Sequence, residues 1–297
     1  MTNENRSLRF GFLFAILFPM RYTSPMTTER AYAKLNLTLG VRCRRADGYH
    51  ELDSLMQTVR LADTLVVEKS RNISVTVVGA DLPLDNTVAK AARLYKEVTN
   101  CGCRVHLEKR IPSEAGLGGG SADAAALLHA LQRLHRMATD LELQKIALAV
   151  GADVPFCLRG GLCRCEGIGE ILTPLKISRA LWFVIAKPSV GVSTKTLFEA
   201  LPLPRPPVSS LRAASALSRG DFAAAAPHIQ NALEAPAVAL VPEIGRYKQR
   251  ILEAGAIAAA MSGSGSAVWG LFANEQSAQA AAEQLRDLDW VVVTDAV

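Results

Sequence analysis

A glycine-rich stretch, PSEAGLGGGSADA, lies ahead of an alanine- and leucine-rich run at residues 112–124. It fits neither common phosphate-binding template: no Lys-Ser/Thr pair follows the last glycine, and G-x-G-x-x-G fails from both Gly116 and Gly118. Consecutive glycines still let a backbone approach an anion closely, and a helix beginning near Ser121 would add its positive dipole end. The alternative is a plain strand-to-helix turn.

A second glycine cluster, MSGSGS, lies between two apolar segments at residues 261–266. Alone, such a cluster is typical of a flexible hairpin. Two clusters in one chain favour an anionic ligand, such as a nucleotide, held between two domains. Residues 112–122 are called the first glycine stretch below, and residues 261–266 the second glycine stretch.

Lys34 and Asp153 are charged residues in positions that could support catalysis. A mid-strand lysine is commonly solvated on an outer face, but in a cleft its ammonium could pair with a carboxylate and with phosphoryl oxygens. Asp153 follows a helix end and precedes Pro155 by two residues. It is either a helix N-cap or the acceptor of a substrate hydroxyl proton.

Composition narrows the class of protein. The chain has 297 residues, of which 49% are hydrophobic and 21% charged, as expected for a folded protein of one large or two ordinary domains. Of the net charge of +5, part lies in residues 1–25, and the remaining +3 is spread without long runs, which argues against nucleic-acid binding and leaves a small anionic ligand open. The cysteines include two C-x-C pairs, whose spacing is not that of zinc sites, so we expect reduced thiols and no protein-bound metal.

The N-terminus carries an apolar run, LRFGFLFAILF, at residues 8–18. It resembles the start of a secretory signal but is too short to span a bilayer, and no small-x-small cleavage pattern follows it. We expect residues 1–25 to be a mis-assigned or disordered extension, the fold to begin near Met26, and the protein to be cytoplasmic.

Strands and helices alternate from Arg30 onward. AYAKLNLTLGV alternates strictly, with apolar residues on one face and Tyr32, Lys34, Asn36 and Thr38 on the other. A turn is expected at Asp47-Gly48. The other predicted strands are ELDSLMQTVR, DTLVVEKS, residues 73–78, RVHLEKRIP, LWFVIAKP, the two segments beside the second glycine stretch, and WVVVTDAV. The predicted helices are residues 86–98, 124–134, 141–150, an alanine-rich region at 208–254, and 277–288.

These segments together resemble the superfamily of galactokinase, homoserine kinase, mevalonate kinase and phosphomevalonate kinase, the GHMP kinases. Residues 112–121 resemble its phosphate loop, and MSGSGSAV resembles its C-terminal glycine motif. Over residues 30–290 the closer resemblance is to the kinases of 4-diphosphocytidyl-2-C-methyl-D-erythritol, in the non-mevalonate isoprenoid pathway. AKLNL, ADGYH, IPSEAGLGGGSADAAALL and GADVPFCLRGG follow one another in that family's order, and AKLNL with ADGYH is not shared by sugar or mevalonate kinases.

The resemblance implies an α+β, two-domain fold with the active site in the cleft between domains. Residues 26–177 would form an N-terminal domain like domain 2 of ribosomal protein S5, and residues 178–297 a ferredoxin-like α/β C-terminal domain. It implies ATP as phosphoryl donor, Mg²⁺ carried with ATP, and transfer to the C2 hydroxyl of the methylerythritol. It also implies a cytidyl diphosphate substrate, no nucleic-acid or membrane partner, and a monomer or weak homodimer.

The resemblance also implies roles for individual residues. Lys34 and Asp153 would be the catalytic pair, with Ser121 a candidate ligand of the Mg²⁺. Tyr49 and His50 would contact the cytosine, His50 by hydrogen bonding. The remaining substrate contacts would be Asn36, Thr194 and Phe198, the last as a second aromatic for the base. The ATP loop would comprise Pro112, Ser113, Glu114, Ala115, Gly116, Leu117, Gly118, Gly119, Gly120, Ser121 and Ala122, and the C-terminal glycine loop Ser262, Gly263, Ser264 and Gly265.

One residue departs from the pattern, and two rival functions stay open. Asp123 stands where some relatives carry an amide, and an acid in the first helical turn would weaken anion attraction unless it faces away. The first rival is homoserine or mevalonate kinase activity, against which the GYH segment argues. The second is a non-catalytic nucleotide sensor, which the presence of both Lys34 and Asp153 disfavours.

Overall fold

The computed structural model describes residues 25–204 and 209–297. The predicted extension at residues 1–25 lies outside this part of the chain except for its last residue. Within the described ranges, no helix combines the length and the apolar character needed to cross a bilayer. The first strand starts at Met26.

The first sheet is built from residues 26–175. Its strands are β1 (Met26–Arg44), β2 (His50–Ser70), β3 (Ser74–Val78), β4 (Gly102–Glu108), β5 (Leu162–Gly167) and β6 (Ile171–Leu175). The order is β3-β4-β2-β5-β6, with β1 paired antiparallel to β2 through the predicted turn at Gly48. β3 runs parallel to β4, and the other pairs are antiparallel.

The prediction of two separate strands in ELDSLMQTVR and DTLVVEKS is wrong. β2 runs through both segments, because no glycine or proline interrupts them. Instead, β2 changes partner along its length, pairing with β5 up to Gln57 and with β4 from Thr64. The strands β5 and β6 were not predicted from the sequence.

Four helices lie in this half of the chain, and the first three follow the predicted pattern. They are α1 (Thr87–Thr99), α2 (Gly119–His135), α3 (Asp140–Val150) and α4 (Val154–Arg159). Asn86 caps α1 by accepting the N–H groups of Val88 and Ala89, and Thr139 forms a capping box with Glu142 at the start of α3. In α2, Leu127, Leu128 and Leu131 are fully buried in one core, against which Leu134 packs.

The second sheet is built from residues 182–295. It has the antiparallel order β10-β7-β9-β8, with β7 (Trp182–Ala186), β8 (Ala258–Met261), β9 (Val268–Phe272) and β10 (Val291–Asp295). Its helices are α5 (Thr194–Glu199), α6 (Leu211–Ser218), α7 (Phe222–Ala225), α8 (Glu234–Leu240), α9 (Glu243–Glu253) and α10 (Glu275–Gln284), with a 3₁₀ turn at Ala226–His228. The predicted α+β class with two sheets is confirmed.

β1 connects the two sheets. Its apolar face, including Leu35, packs in one core with Phe183 and Trp269 of the second sheet. The Trp269 indole N–H donates to the carbonyl oxygen of Asn36 at 3.0 Å. A strand of the first sheet is therefore fixed directly against the second.

The polar face of β1 is not an outer surface. Lys34, Asn36 and Thr38 are 4%, 2% and 1% exposed, although the strict alternation allows a solvated face. The pairing with β2 is irregular between Tyr32 and Lys34 and again between Asn36 and Thr38. These polar side chains therefore lie where the register of β1 against β2 is interrupted, and Lys34 and Asn36 line a cavity there.

Candidate active site

The first glycine stretch connects β4 to α2 and is held by β1. The backbone N–H of Lys34 donates to the Leu117 carbonyl at 2.9 Å. Gly118 has φ of +68° and is the N-cap of α2, so the helix starts at Gly119, two residues before the predicted Ser121. A Cβ atom on Gly118 would lie 2.8 Å from Cγ of Lys34, so glycine is needed both for the backbone angle and for this close approach.

The second glycine stretch packs against the first, backbone to backbone. The Ser262 hydroxyl donates to the Gly116 carbonyl at 2.9 Å and accepts the N–H of Asn36 at 3.2 Å. The N–H of Ala267 donates to the Ala115 carbonyl at 3.2 Å. A Cβ atom on Gly116 would lie 1.9 Å from the Ser262 carbonyl oxygen. The two glycine clusters therefore form one continuous wall with β1.

Lys34 and Asp153 form an ion pair at this wall. Nζ of Lys34 lies 3.3 Å from Oδ2 of Asp153, with 5% and 32% of the two side chains exposed. Asp153 occupies the N-cap position of α4 but makes no side-chain capping hydrogen bond. Its carboxylate is thus directed to the lysine rather than to the helix N–H groups.

Asn36 orients the lysine. Its Oδ1 accepts from Nζ of Lys34 at 2.5 Å, and its Nδ2 donates to the Ser54 hydroxyl at 2.8 Å. Ser54 in turn donates to the Thr38 carbonyl at 2.6 Å. This chain of donors fixes which way the amide points. Ser54 was missed in the sequence, where nothing distinguishes it from other strand serines.

A cavity of about 430 Å³ opens beside the ion pair. All five predicted substrate-contact residues, which come from distant parts of the sequence, line this cavity. The predicted residues lining the cavity include Lys34, Asn36, Tyr49, His50, Asp153, Thr194, Phe198, Gly263 and Ser264, together with Ser121. Its apolar lining was not predicted and comprises Leu39, Leu52, Met56, Ile168 and Leu233.

Two aromatic residues meet at one end of this cavity. The His50 and Phe198 rings are stacked, with centroids 4.5 Å apart and 27° between planes. Tyr49 lies beside them and is 56% exposed. Burial, with the Arg44 charge adding to it, lowers the pKa of His50. The ring is therefore predominantly neutral near pH 7 and has both a donor and an acceptor nitrogen.

A second cavity, of about 660 Å³, follows the first glycine stretch. Residues 112–120 line it, and Gly116, Gly118, Thr194 and Ser264 line both cavities. The Thr194 and Ser264 hydroxyls are hydrogen-bonded at 2.7 Å where the cavities meet. Of the remaining predicted loop residues, Ala122 is buried within α2.

The expectation for Asp123 is wrong in its geometry. Because α2 begins at Gly119, Asp123 lies in the second helical turn, not the first. Its side chain is 1% exposed and pairs with Nζ of Lys109 at 2.7 Å. The nearby ammonium offsets the carboxylate charge that was expected to weaken anion attraction.

The arrangement supplies a carboxylate, an ammonium and a glycine-lined cavity. Nζ of Lys34 and Oδ2 of Asp153 lie within the lining of the first cavity, beside the glycines shared with the second. A carboxylate can accept a hydroxyl proton, and an ammonium can neutralise charge on a transferring phosphoryl group. Comparison with known proteins gives the family.

Residues 86–161 match the family model described as GHMP kinases N terminal domain, and residues 213–288 match GHMP kinases C terminal. A 4-diphosphocytidyl-2-C-methyl-D-erythritol kinase of Caldicellulosiruptor bescii is 42% identical over 268 residues, covering 86% of this chain and 93% of the relative. The enzyme of the same name from Cereibacter sphaeroides is 43% identical over 278 residues, covering 88% and 94%. The chain belongs to the 4-diphosphocytidyl-2-C-methyl-D-erythritol kinase family.

Solved structures agree with membership of the 4-diphosphocytidyl-2-C-methyl-D-erythritol kinase family. A crystal structure of 4-(cytidine 5'-diphospho)-2C-methyl-D-erythritol kinase superposes with a TM-score of 0.80 at 39% identity, covering 91% of this chain and 99% of that one. Homoserine kinase from Cytophaga hutchinsonii gives 0.72 at 21% identity, covering 94% and 97%, and thus shares the fold. The protein is a kinase with a GHMP fold, and this superfamily membership implies that it uses ATP.

Proposed function

We propose that the protein transfers the γ-phosphoryl group of ATP to the C2 hydroxyl of 4-diphosphocytidyl-2-C-methyl-D-erythritol. The products are the 2-phosphate and ADP. The observation that carries this proposal is the Lys34–Asp153 ion pair, at 3.3 Å, beside glycines that line both cavities. Relatives that carry this enzyme's name are 42% and 43% identical to the chain, which supports the choice of acceptor.

Asp153 and Lys34 have different roles in the transfer step. The C2 hydroxyl belongs to a tertiary alcohol, which is crowded and weakly acidic. Asp153 accepts its proton as the oxygen bonds to the γ-phosphorus, and the bond from that phosphorus to the β,γ-bridging oxygen breaks to release ADP. Lys34, paired with Asp153, neutralises charge on the transferring group.

The first glycine stretch fits the triphosphate of ATP. Gly118 allows the backbone to lie close to Lys34, since a Cβ there would meet the lysine side chain, and we expect the free N–H groups at the start of α2 to bind phosphate oxygens. Among the described residues, no group of three or more His, Cys, Asp or Glu side chains is placed to hold a metal ion. A Mg²⁺ ion would therefore be bound mainly through ATP oxygens, with Ser121 as the protein ligand, and would neutralise phosphate charge.

The aromatic end of the first cavity fits a cytosine. Tyr49 and Phe198 offer faces for stacking, and the neutral His50 ring can hydrogen-bond to the base. In the structure Phe198 stacks on His50 itself, so the base would replace that contact. Thr194 and Asn36 line the same cavity, and we expect them to contact the methylerythritol diphosphate.

An ADP-release assay on three acceptors tests the proposal. With ATP and Mg²⁺, we expect turnover on 4-diphosphocytidyl-2-C-methyl-D-erythritol and none on homoserine or mevalonate. Phosphorus NMR of the product should show a new phosphomonoester on C2. Turnover on homoserine or mevalonate alone would overturn the acceptor assignment. Tight ATP binding with no phosphorylated product on any of the three would instead support a nucleotide sensor.

A further inference from the structure

A buried three-residue ion network lies at the base of the first glycine stretch. Nζ of Lys109 pairs with Oδ2 of Asp123 at 2.7 Å and with Oδ2 of Asp63. The three side chains are 5%, 1% and 0% exposed. Neither the catalytic pair nor the cytosine site uses any of them.

The network connects the two ends of the first glycine stretch. Oδ1 of Asp63, on β2, accepts the backbone N–H groups of Arg110 at 2.5 Å and Ile111 at 2.8 Å, just before the stretch begins. Asp123 is on α2, just after the stretch ends. Lys109 joins the two carboxylates, so the three residues fix the entry of the stretch relative to its exit.

The ammonium also forms part of the wall of the cavity assigned to ATP. A Cβ atom on Gly119 would lie 3.2 Å from Nζ of Lys109, which places the ammonium against the first residue of α2. Lys109 and Asp123 both line the second cavity. A displaced Lys109 would therefore change the cavity as well as the packing below it.

We propose that Asp123 is a positioning residue for the nucleotide: with Asp63 it holds the Lys109 ammonium against Gly119 and so fixes the first glycine stretch in its binding geometry. This inference rests on the proposed function, because it takes ATP as the occupant of the second cavity. Without Asp123 the ammonium keeps one carboxylate partner and gains freedom to turn away from Gly119. The loss falls on ATP and not on the acceptor, whose cavity the network does not line.

Asp53 provides a matched control. It is a fully buried carboxylate in another ion network on the same sheet, where it accepts from Arg42, Arg164 and Ser210. It lines neither of the two cavities. Substituting it should disturb stability as Asp123 does, without touching the nucleotide.

The test compares Asp123→Leu, Asp123→Asn and Asp53→Asn with the parent protein. The dissociation constant of a non-hydrolysable ATP analogue is measured by calorimetry, together with kcat and KM for ATP and for the acceptor. We expect Asp123→Leu to weaken analogue binding and raise KM for ATP about tenfold, the weight of one charged hydrogen bond. The acceptor KM and kcat should stay within about twofold. Asp123→Asn, whose amide oxygen still accepts from Lys109, should restore analogue binding to within about threefold, and Asp53→Asn should leave it unchanged.

Several outcomes would overturn the inference. If Asp123→Leu lowers Tm but binds the analogue like the parent, the role of Asp123 is structural alone. The same conclusion follows if the acceptor KM of this variant rises as much as its KM for ATP. If Asp123→Leu does not fold, the double variant Lys109→Gln/Asp123→Asn, which removes two charges together, must show the same tenfold loss. A parent that binds the analogue but phosphorylates another acceptor would overturn the proposed substrate and leave the Asp123 comparison valid. A parent that binds no analogue would overturn both.

Discussion

Nζ of Lys34 lies 3.3 Å from Oδ2 of Asp153, although one residue is in the middle of β1 and the other at the start of α4. The pair lies beside glycines that line both cavities, and the Asp153 carboxylate is not engaged in capping its helix. This relationship is what the proposed roles require, with Asp153 as the general base and Lys34 as its charge partner.

Asp153→Asn should fold normally and lose on the order of 10²- to 10⁴-fold in kcat, the weight of a positioned acid or base. The amide keeps the shape of the side chain but cannot accept the proton. Asp140→Asn, at an exposed acid in the first turn of α3, is the matched control and should keep full turnover. Both are measured by ADP release at saturating substrates, with Tm to verify folding. Full activity in Asp153→Asn would remove it from the mechanism.

Lys34→Met should also lower kcat strongly, and its effect should not add to that of Asp153→Asn. Residues that act as one unit are markedly non-additive, because either substitution alone disables the shared step. We expect the double variant to lie within about tenfold of the slower single variant. Single-turnover rates of the parent, the two single variants and the double variant give a double-mutant cycle. Multiplicative losses would show that the two residues act independently.

Gly263→Ala tests the close packing of the second glycine stretch on the lysine. Gly263 has φ of +55°, and its added Cβ would lie 3.2 Å from Nζ of Lys34 and 3.0 Å from the Gly116 carbonyl. Displacing the ammonium should cost roughly 10- to 100-fold in kcat. Gly255→Ala carries similar backbone strain, with φ of +97°, but its Cβ would meet nothing within 4 Å. It should lose stability without losing turnover, so equal kcat values in the two variants would refute the packing argument.

His50→Ala should raise KM for the acceptor by at least about tenfold while changing KM for ATP less than twofold. The expectation follows from position, since His50 lines the first cavity and not the second, and a lost base contact costs about 1–3 kcal/mol. Phe198→Leu, which removes the stacking partner and keeps apolar volume, should act in the same direction. Initial rates with each substrate varied in turn give both constants. A parallel rise in the two KM values would place His50 outside the base site.

The sequence predicted the parts of the site that carry local signals. The glycines, the GYH segment and the lysine in an alternating strand are recognisable one at a time, and the structure brings them together in the lining of the two cavities. The alternation of β1 correctly separated an apolar from a polar face. The alternation could not show that the polar face is buried. That burial depends on the second glycine stretch and on α4, which are distant from β1 in the sequence.

Other features had no local signal at all. Ser54 and Asp63 are ordinary strand residues whose roles arise from the register of β2 against its neighbours. The helix α2 starts two residues before the predicted Ser121: glycine is a poor helix former, yet Gly119 and Gly120 form the first turn directly after the left-handed Gly118. The earlier start moves Asp123 from the expected first turn to the second, and no local signal pairs it with Lys109.

The titration of Asp123 gives a prediction for stability against pH. Burial is the main cause that raises the pKa of Asp123 to about 7, the Asp63 charge adds to it, and the attraction of Lys109 opposes it. The folded pKa is thus above the value of about 3.8 expected for the unfolded chain, and the folded state binds more protons between these values. The contribution of Asp123 to the free energy of unfolding therefore falls as the pH rises from 4 to 7 and is constant above.

Asp123→Asn cannot ionise and should not show this fall. The free energy of unfolding is measured by urea titration at several pH values. The value for Asp123→Asn minus that for the parent should increase from pH 4 to 7 and stay constant above pH 7. Asp53→Asn is a control whose effect on stability should depend on pH in the opposite direction. Although burial raises the pKa of Asp53, hydrogen bonds from Arg164 and Ser210 together lower it, so its stabilisation is lost only as the pH falls below about 4. A gap between parent and Asp123→Asn that stays constant from pH 4 to 8 would mean that Asp123 is ionised throughout, held so by Lys109.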